Sequence, residues 1–345
     1  MNDSFILRDR KWREQNERVT LSSYATFSGD SLGRNQEEPQ DTFRTCFERD
    51  RDRIIHSKTF RRLKHKTQVF INPDGDHFIT RMTHTLNVTQ IGRSIAKTLG
   101  FNPDLTEAIC LGHDVGHSPF GHTGEDVLNE ILDGGWSHSE NSVKMLSIIE
   151  PLNLTKETID GIKKHPWRYE EPPFAPEGMI CRFSDRIAYL SHDVEDAIRA
   201  GVLTEKDIAR KIISSLGPPG KAWINSLISG VFKGSNGGDL EMDQEILDIL
   251  SRQKENNQLV TSFTTALERR KLWYWGGNEF GQGGQNNRSQ YSSPTQVGSD
   301  STWDTIDTGS AQCFATKTDG TLWAWGTNTN ESLLHNNTKQ YTSSH

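Results

Sequence analysis

The chain has 345 residues, enough to bury a sizeable core and to divide into two domains. A net charge of −7 with 25% charged residues describes a soluble protein and excludes a general nucleic-acid binder. Cys46, Cys110, Cys181 and Cys313 lie far apart with no CxxC spacing, so they read as reduced thiols; with no signal peptide and no run of 18 apolar residues, the expected location is cytoplasmic.

Residues 1 to 40 are polar, carry Gly29, Gly33 and Pro39, and read as a loose N-terminal arm. From Asp41 to about Val69 the residues favour helix, and between Arg44 and Lys66 nine Lys/Arg stand against three Asp/Glu. Such a basic island on an acidic protein points to a local anion, such as a phosphate chain; a solvated helix face is the bland alternative. Asn72-Pro73-Asp74-Gly75 is a turn signal. A helix is expected from about His77 to Leu99, closed by Gly100, with Val88, Ile91, Ile95 and Leu99 as its apolar stripe. Stepping back four residues from Val88 puts His84 on the same inward face.

The next helix, about Asp104 to Asp114, sets Leu105, Ala108, Ile109 and Gly112 on one side, with His113 at the end of that side. After a break at glycines and Pro119, His122 and Glu125 stand at i, i+3 on the start of a further helix that Asp133-Gly134-Gly135 ends. Short helices are expected around Ser139–Ile149 and Lys156–His165, then a proline-rich loop from Pro166 to Gly178. From Met179 to Ala200 a helix carries the stripe Ile180, Phe183, Ile187, Leu190, Val194 and Ile198. Its other side bears Asp185, Tyr189, Asp193 and Asp196 with no Lys at helical spacing, which suits a second inward face better than a solvated one.

Helical pieces follow to about Lys271, broken by Gly217-Pro218-Pro219-Gly220 and Gly234-Ser235-Asn236-Gly237-Gly238, with a long polar helix expected over 242–270. At Leu272 the composition changes. Leu272-Trp273-Tyr274-Trp275-Gly276 recurs as Leu322-Trp323-Ala324-Trp325-Gly326 at an offset of 50, with Asn286-Asn287 against Asn336-Asn337 and Gln290-Tyr291 against Gln340-Tyr341. The repeat is of propeller-blade length and expected to be β.

The chemistry concentrates between Cys110 and Glu125. Two inward imidazoles beside an inward carboxylate are costly to bury unless they bind something. His84, His113 and Asp114 supply three ligands for a divalent ion of the Mn, Mg, Fe, Ni or Zn kind, and Asp185 is the expected fourth. Two His and two carboxylates leave positions open for water and substrate. His122, oriented by Glu125, would donate a proton to a leaving oxygen or position the attacking water. His117 and His138 are further imidazoles for a phosphate chain, and Arg81 would offer its guanidinium to phosphate oxygens.

Arg81-Met82-Thr83-His84, His113-Asp114 and Asp185 resemble the HD superfamily of metal phosphohydrolases. Three longer stretches, Phe60 to Phe70, Gly112 to Glu125 and Ser184 to Asp193, resemble the bacterial deoxyguanosine triphosphate triphosphohydrolase-like family, and the resemblance covers roughly residues 5 to 215. It implies a mainly α, HD-domain helical fold over 41–271 that hydrolyses dGTP or another dNTP to the deoxynucleoside and inorganic triphosphate. It matches His84, His113, Asp114 and Asp185 to metal ligands, His122 and Glu125 to a catalytic pair with His117 and His138 nearby, and Arg81 and Arg186 to phosphate contacts. Gln68, Tyr189 and Asp193 match positions that read the deoxyribose. A homo-oligomer, often tetramer or hexamer, and a nucleotide or single-stranded DNA effector are also implied.

The 272–345 segment resembles an RCC1-type propeller repeat, of which one full copy and a fragment cannot close a ring. Two other readings stand beside the main one. A different HD enzyme, a phosphodiesterase or (p)ppGpp-type hydrolase, needs neither the Gln68 stretch nor the His122/Glu125 pair. A non-catalytic HD scaffold that binds nucleotides is opposed by the presence of every expected ligand.

Overall fold

The computed structural model describes residues 7–69, 77–200, 204–208, 210–236, 239–248, 273–298, 302–308, 312–317 and 319–327. The chain divides into two compact units, one helical and one of β-strands. The turn expected at 72–75 and all but the start of the helix expected over 242–270 lie outside the described residues.

In the helical unit, α1 (Arg10–Thr20), α2 (Cys46–His56) and α3 (Lys58–Arg61) precede α4 (Arg81–Leu99) and α5 (Pro103–Gly112). Then come α6 (Gly121–Ile131), α7 (His138–Lys144), α8 (Lys156–Lys164), α9 (Pro176–Arg199), α10 (Arg210–Leu216) and α11 (Lys221–Gly234). The core is the packing of α5 between α4, α2, α8 and α9. Val88, Ile91 and Ile95 of α4 meet Leu105 and Ile109 of α5 and Ile180, Ile187 and Val194 of α9, all fully buried. Each stripe has the 3.6-residue period its sequence announces.

Local chemistry sets the ends. Thr80 and Thr83 form a reciprocal cap that starts α4 at Arg81, four residues later than the apolar pattern suggests. Gly100 ends it at φ 76°, a left-handed conformation glycine takes without cost. Asn102 caps α5 and Pro103 takes its first position, which fixes where the helix carrying the His-Asp pair begins.

Residues 7–40 are not a loose arm. They hold α1, and Glu17 accepts hydrogen bonds from the backbone and hydroxyl of Ser28 at 2.7 and 2.6 Å. Buried Glu177 of α9 accepts from Thr26 and Asn102, while Arg34 pairs with buried Asp50. The first half of the basic island is likewise structural. Arg49 and Arg53 pair with Glu38, Arg44 with Asp41 and Asp52, and Arg51 with Asp52 and Asp104. Several of these partners lie outside the 44–66 window, which is why charge within it suggested an unmatched surface. Lys58, Arg61, Arg62 and Lys64 stay exposed.

The second unit has two antiparallel sheets among the described residues. Strand β1 (Trp273–Gly276) pairs with β2 (Tyr291–Gln296), and β3 (Trp303–Thr308), β4 (Gln312–Lys317) and β5 (Leu322–Gly326) form a meander. Both copies of the Trp-x-Trp-Gly motif are therefore strands. Val297, Trp303, Cys313, Ala315 and Trp325 make a small core of their own, and Trp325 Nε1 donates to the Gln282 carbonyl at 2.8 Å. The second halves of the repeat, 336–337 and 340–341, lie outside the described residues.

Candidate metal centre

Three helices bring four side chains to one point. His84 sits one turn into α4, His113 and Asp114 follow the last residue of α5, and Asp185 lies mid-way along α9. His84 Nε2 is 3.0 Å from Asp185 Oδ1 and 3.9 Å from Asp114 Oδ2. His113 Nε2 is 3.5 Å from Asp114 Oδ2 and 3.8 Å from Asp185 Oδ1. Ligands sharing one ion at bonds of roughly 2.0–2.2 Å stand about 3–4 Å apart, so His84, His113 and Asp185 could hold a divalent cation, with Asp114 Oδ2 beside both imidazoles. His113 donates from Nδ1 to the Cys110 carbonyl at 2.6 Å, which leaves the lone pair on Nε2; that atom is buried and has no hydrogen-bond partner. A buried nitrogen so oriented and so left is what a metal ligand requires.

Charge in this cluster favours the ligand state. Burial raises the Asp185 carboxyl, but the hydrogen bond from His84 and the field of His113 more than offset this and hold it at about 2. Burial works against Asp114 too, and His113 and Arg81 bring it well below the usual carboxylate range. Arg81 donates from Nη1 to Asp114 Oδ2 at 2.7 Å, from Nη2 to the Gln68 carbonyl at 3.1 Å and from Nε to the Thr67 carbonyl at 3.3 Å. It thus ties the segment before α4 to the His-Asp pair and orients the carboxylate.

Beside the quartet lies a second group of imidazoles. Glu125 of α6 reaches the first residue of α7, accepting from His138 Nδ1 at 2.8 Å and from its backbone N–H at 3.1 Å. His122 stands further off, with Nδ1 3.6 Å from Glu125 Oε2 and its side chain 59% exposed. Glu125 therefore orients His138 first and His122 second, although the sequence pattern pairs it with His122. Burial raises the Glu125 carboxyl, yet hydrogen bonds from His122 and His138 hold it far below its ordinary value. His117 stacks on His138 with ring centroids 4.7 Å apart, and both its ring nitrogens are buried without a partner. Gly116 keeps this turn tight, since a Cβ there would stand 2.1 Å from the Ser142 nitrogen.

The HD domain family model matches residues 81–190, a span that contains His84, His113, Asp114 and Asp185. The chain is 49% identical over 244 residues to a deoxyguanosinetriphosphate triphosphohydrolase-like protein of Caldanaerobacter subterraneus subsp. tengcongensis, covering 69% of this chain and 71% of that one. The chain belongs to the deoxyguanosinetriphosphate triphosphohydrolase-like family. A similarly described protein of Clostridium perfringens strain SM101 is 52% identical over 221 residues, covering 62% of this chain and 65% of that one. A third, from Desulfatibacillum aliphaticivorans, is 44% identical over 249 residues, covering 69% and 71%. The matched stretch thus spans about two thirds of each relative's length.

Tyr189 and Asp193 continue along α9 one and two turns beyond Asp185. Burial pushes the Asp193 carboxyl up to about 8 against the opposing fields of Arg81 and His122, and pushes the Tyr189 hydroxyl up to about 12. Gln68 is buried, and its Oε1 has no partner. Arg186 lies over the Trp167 ring at 5.3 Å. Asp196, grouped with this polar face by spacing, instead accepts from the Ile79 N–H at 2.9 Å and pairs with Arg199, anchoring the chain just before α4.

Three residues with no assigned role in the sequence also line this region. His165 follows α8, fully enclosed, with its ring edge-on to His113 at 4.9 Å. Its place three residues after buried Ile162 was the available signal. Arg168 brings Nη1 to 3.6 Å from Glu125 Oε1. Lys66, lowered to about 8 chiefly by burial, donates to the Val115 carbonyl at 2.9 Å. Among the described residues no helix is long and apolar enough to cross a membrane.

Proposed function

We propose that this chain is a divalent-metal-dependent hydrolase that converts a deoxynucleoside triphosphate to the deoxynucleoside and inorganic triphosphate. The observation that carries the reading is the convergence of His84, His113 and Asp185, with Asp114 Oδ2 beside both imidazoles and His113 Nε2 buried without a hydrogen-bond partner. These four would hold the ion, which when bound polarises a phosphoryl oxygen and acidifies a water. Mn, Mg, Fe, Ni and Zn all suit the donor set.

The remaining roles belong to the chain's own groups. Water attacks the α-phosphorus, the bond to the sugar O5′ breaks, and O5′ takes a proton. His122, exposed and backed by Glu125, is the proposed donor. His117 and His138 receive the phosphate chain and orient the water; the two unpartnered nitrogens of His117 support this. Arg186 and the N–H groups of Arg81 not spent on Asp114, Thr67 and Gln68 contact phosphate oxygens. Gln68, Tyr189 and Asp193 read the deoxyribose. An Asp193 carboxyl that keeps its proton near neutrality donates to a sugar hydroxyl and does not repel the triphosphate.

The proposal extends to a cytoplasmic homo-oligomer with a nucleotide or single-stranded DNA effector, to a boundary near residue 271, and to an RCC1-like origin for the β unit. The test is incubation of the full chain with each dNTP and Mn or Mg, with ribonucleotide controls. Triphosphate and deoxynucleoside are expected from dNTPs alone. Pyrophosphate, a monophosphate, or metal binding without turnover contradicts the reading.

A further inference from the structure

The loop between α8 and α9 borders the pocket on two sides. His165 at its start lies edge-on to His113. Arg168 brings Nη1 to 3.6 Å from Glu125 Oε1, while its Nη2 donates to the Ser139 hydroxyl at 3.2 Å. Between these two stands Trp167, 43% exposed, which no step of the proposed reaction uses. What fixes the loop is Arg182, buried in α9. Its Nε donates to the Lys164 carbonyl at 2.7 Å, and its Nη2 to the carbonyls of Tyr169 and Glu171, each at 3.2 Å. Carbonyls on both sides of Trp167 are thus tied to one guanidinium, so the indole is held in place although half-exposed. Phe183 supports it edge-on, with ring centroids 5.3 Å apart.

Arg182 and Arg186 stand four residues apart on α9, and both guanidiniums lie over the indole, at 5.6 and 5.3 Å from its centroid. They differ in what else they do. Arg182 spends its donors on the loop. Arg186 is half-buried and makes no ion pair among the described residues. Burial raises the Tyr189 hydroxyl and the Arg186 charge opposes that rise, so Arg186 stands beside the proposed sugar reader. A long side chain free to sample rotamers loses affinity when a ligand orders it. An aromatic face that already holds the planar group removes much of that cost and leaves its N–H edges open to oxygen ligands.

We propose that Trp167 is a positioning residue for the triphosphate: its indole face holds the Arg186 guanidinium ready for phosphate oxygens, on a loop that Arg182 fixes. The proposal rests on the reading of Arg186 as a phosphate contact. It gives the exposed indole a task that a ring merely packing the loop would not have, because the effect must pass through Arg186.

The test is a double-mutant cycle on the full chain with Mn present, reading the Kd of inorganic triphosphate by calorimetry and KM and kcat for dGTP. Trp167→Ala is expected to weaken triphosphate binding and raise KM by about three- to tenfold with kcat little changed, and Trp167→Tyr to restore most of the loss. In an Arg186→Ala background the same substitution should change nothing further. Additive losses, or a loss that Trp167→Tyr does not restore, overturn the proposal. If Trp167→Ala does not fold, judged by circular dichroism, Trp167→Leu takes its place in the cycle, keeping apolar bulk without an aromatic face. Hydrolysis of dGTP without the coupling overturns this proposal alone. Coupled triphosphate binding without hydrolysis overturns the hydrolase reading and leaves this one standing, and a wild type that binds no triphosphate overturns both.

Discussion

His84 Nε2 and Asp185 Oδ1 meet at 3.0 Å across 101 residues of chain. The contact joins α4 to α9 inside a core of aliphatic side chains, where an imidazole and a carboxylate are costly to bury without a shared ion. Removing Asp185 alone therefore strands His84. Asp185→Ala is expected to abolish Mn binding at the quartet and turnover together, while helix content is kept. Bound Mn and turnover measured on one preparation check this, and undiminished metal binding contradicts the ligand assignment.

Asp114 carries a second burden, because Arg81 is buried against it. Breaking a buried pair from one side typically costs about 3–5 kcal/mol. Asp114→Asn should lower thermal stability by more than Asp185→Asn, since removing the Asp185 charge leaves no buried arginine unpaired. Paired melting curves without metal test the order, and equal losses contradict it.

Glu125 separates proton handling from metal holding. Glu125→Gln keeps the shape but takes the charge from His138 and His122, and general acid–base assistance is worth about 10²–10⁴-fold. The expected outcome is kcat down by about that factor with Mn affinity unchanged. A change confined to KM contradicts the role.

The pH response turns on Asp193. Its folded carboxyl is raised to about 8, above the ordinary Asp value of 3.8, so the folded state keeps a proton the unfolded state loses. Stability tied to that proton is whole below the ordinary value and is lost as pH rises through about 8. Wild-type KM should rise and thermal stability fall over the same interval. Asp193→Asn should flatten both, as read from KM and melting temperature between pH 6 and 9; an unchanged slope contradicts the assignment.

The tail offers a fifth outcome. The helical unit and the β unit each have their own buried apolar cluster. A chain shortened to end at Arg270 should retain turnover within a few-fold. Loss of turnover with intact helix content contradicts a merely appended β unit.

Much of this was legible in the sequence where one period did the work. The stripes of α4 and α5 put His84 and His113 on inward faces, the polar side of α9 opposite its stripe carries Asp185, and the structure brings both rings within 4 Å of the Asp185 carboxylate. What the sequence hid was contact between segments without a common period. Glu125 grips His138 because α6 and α7 fold back across a glycine-rich turn, while local spacing pairs it with His122. His165 closes a short helix and looked like its end. The arginines of the basic island found carboxylates at Glu38, Asp41 and Asp104, beyond the window in which charge was counted.

The most direct test of the central claim is hydrolysis of dGTP in ¹⁸O-labelled water with Mn present, followed by mass analysis of the products. Attack at the α-phosphorus with cleavage to O5′ predicts one labelled oxygen in the inorganic triphosphate and none in the deoxynucleoside. Label in the deoxynucleoside, or release of pyrophosphate with a deoxynucleoside monophosphate, contradicts it.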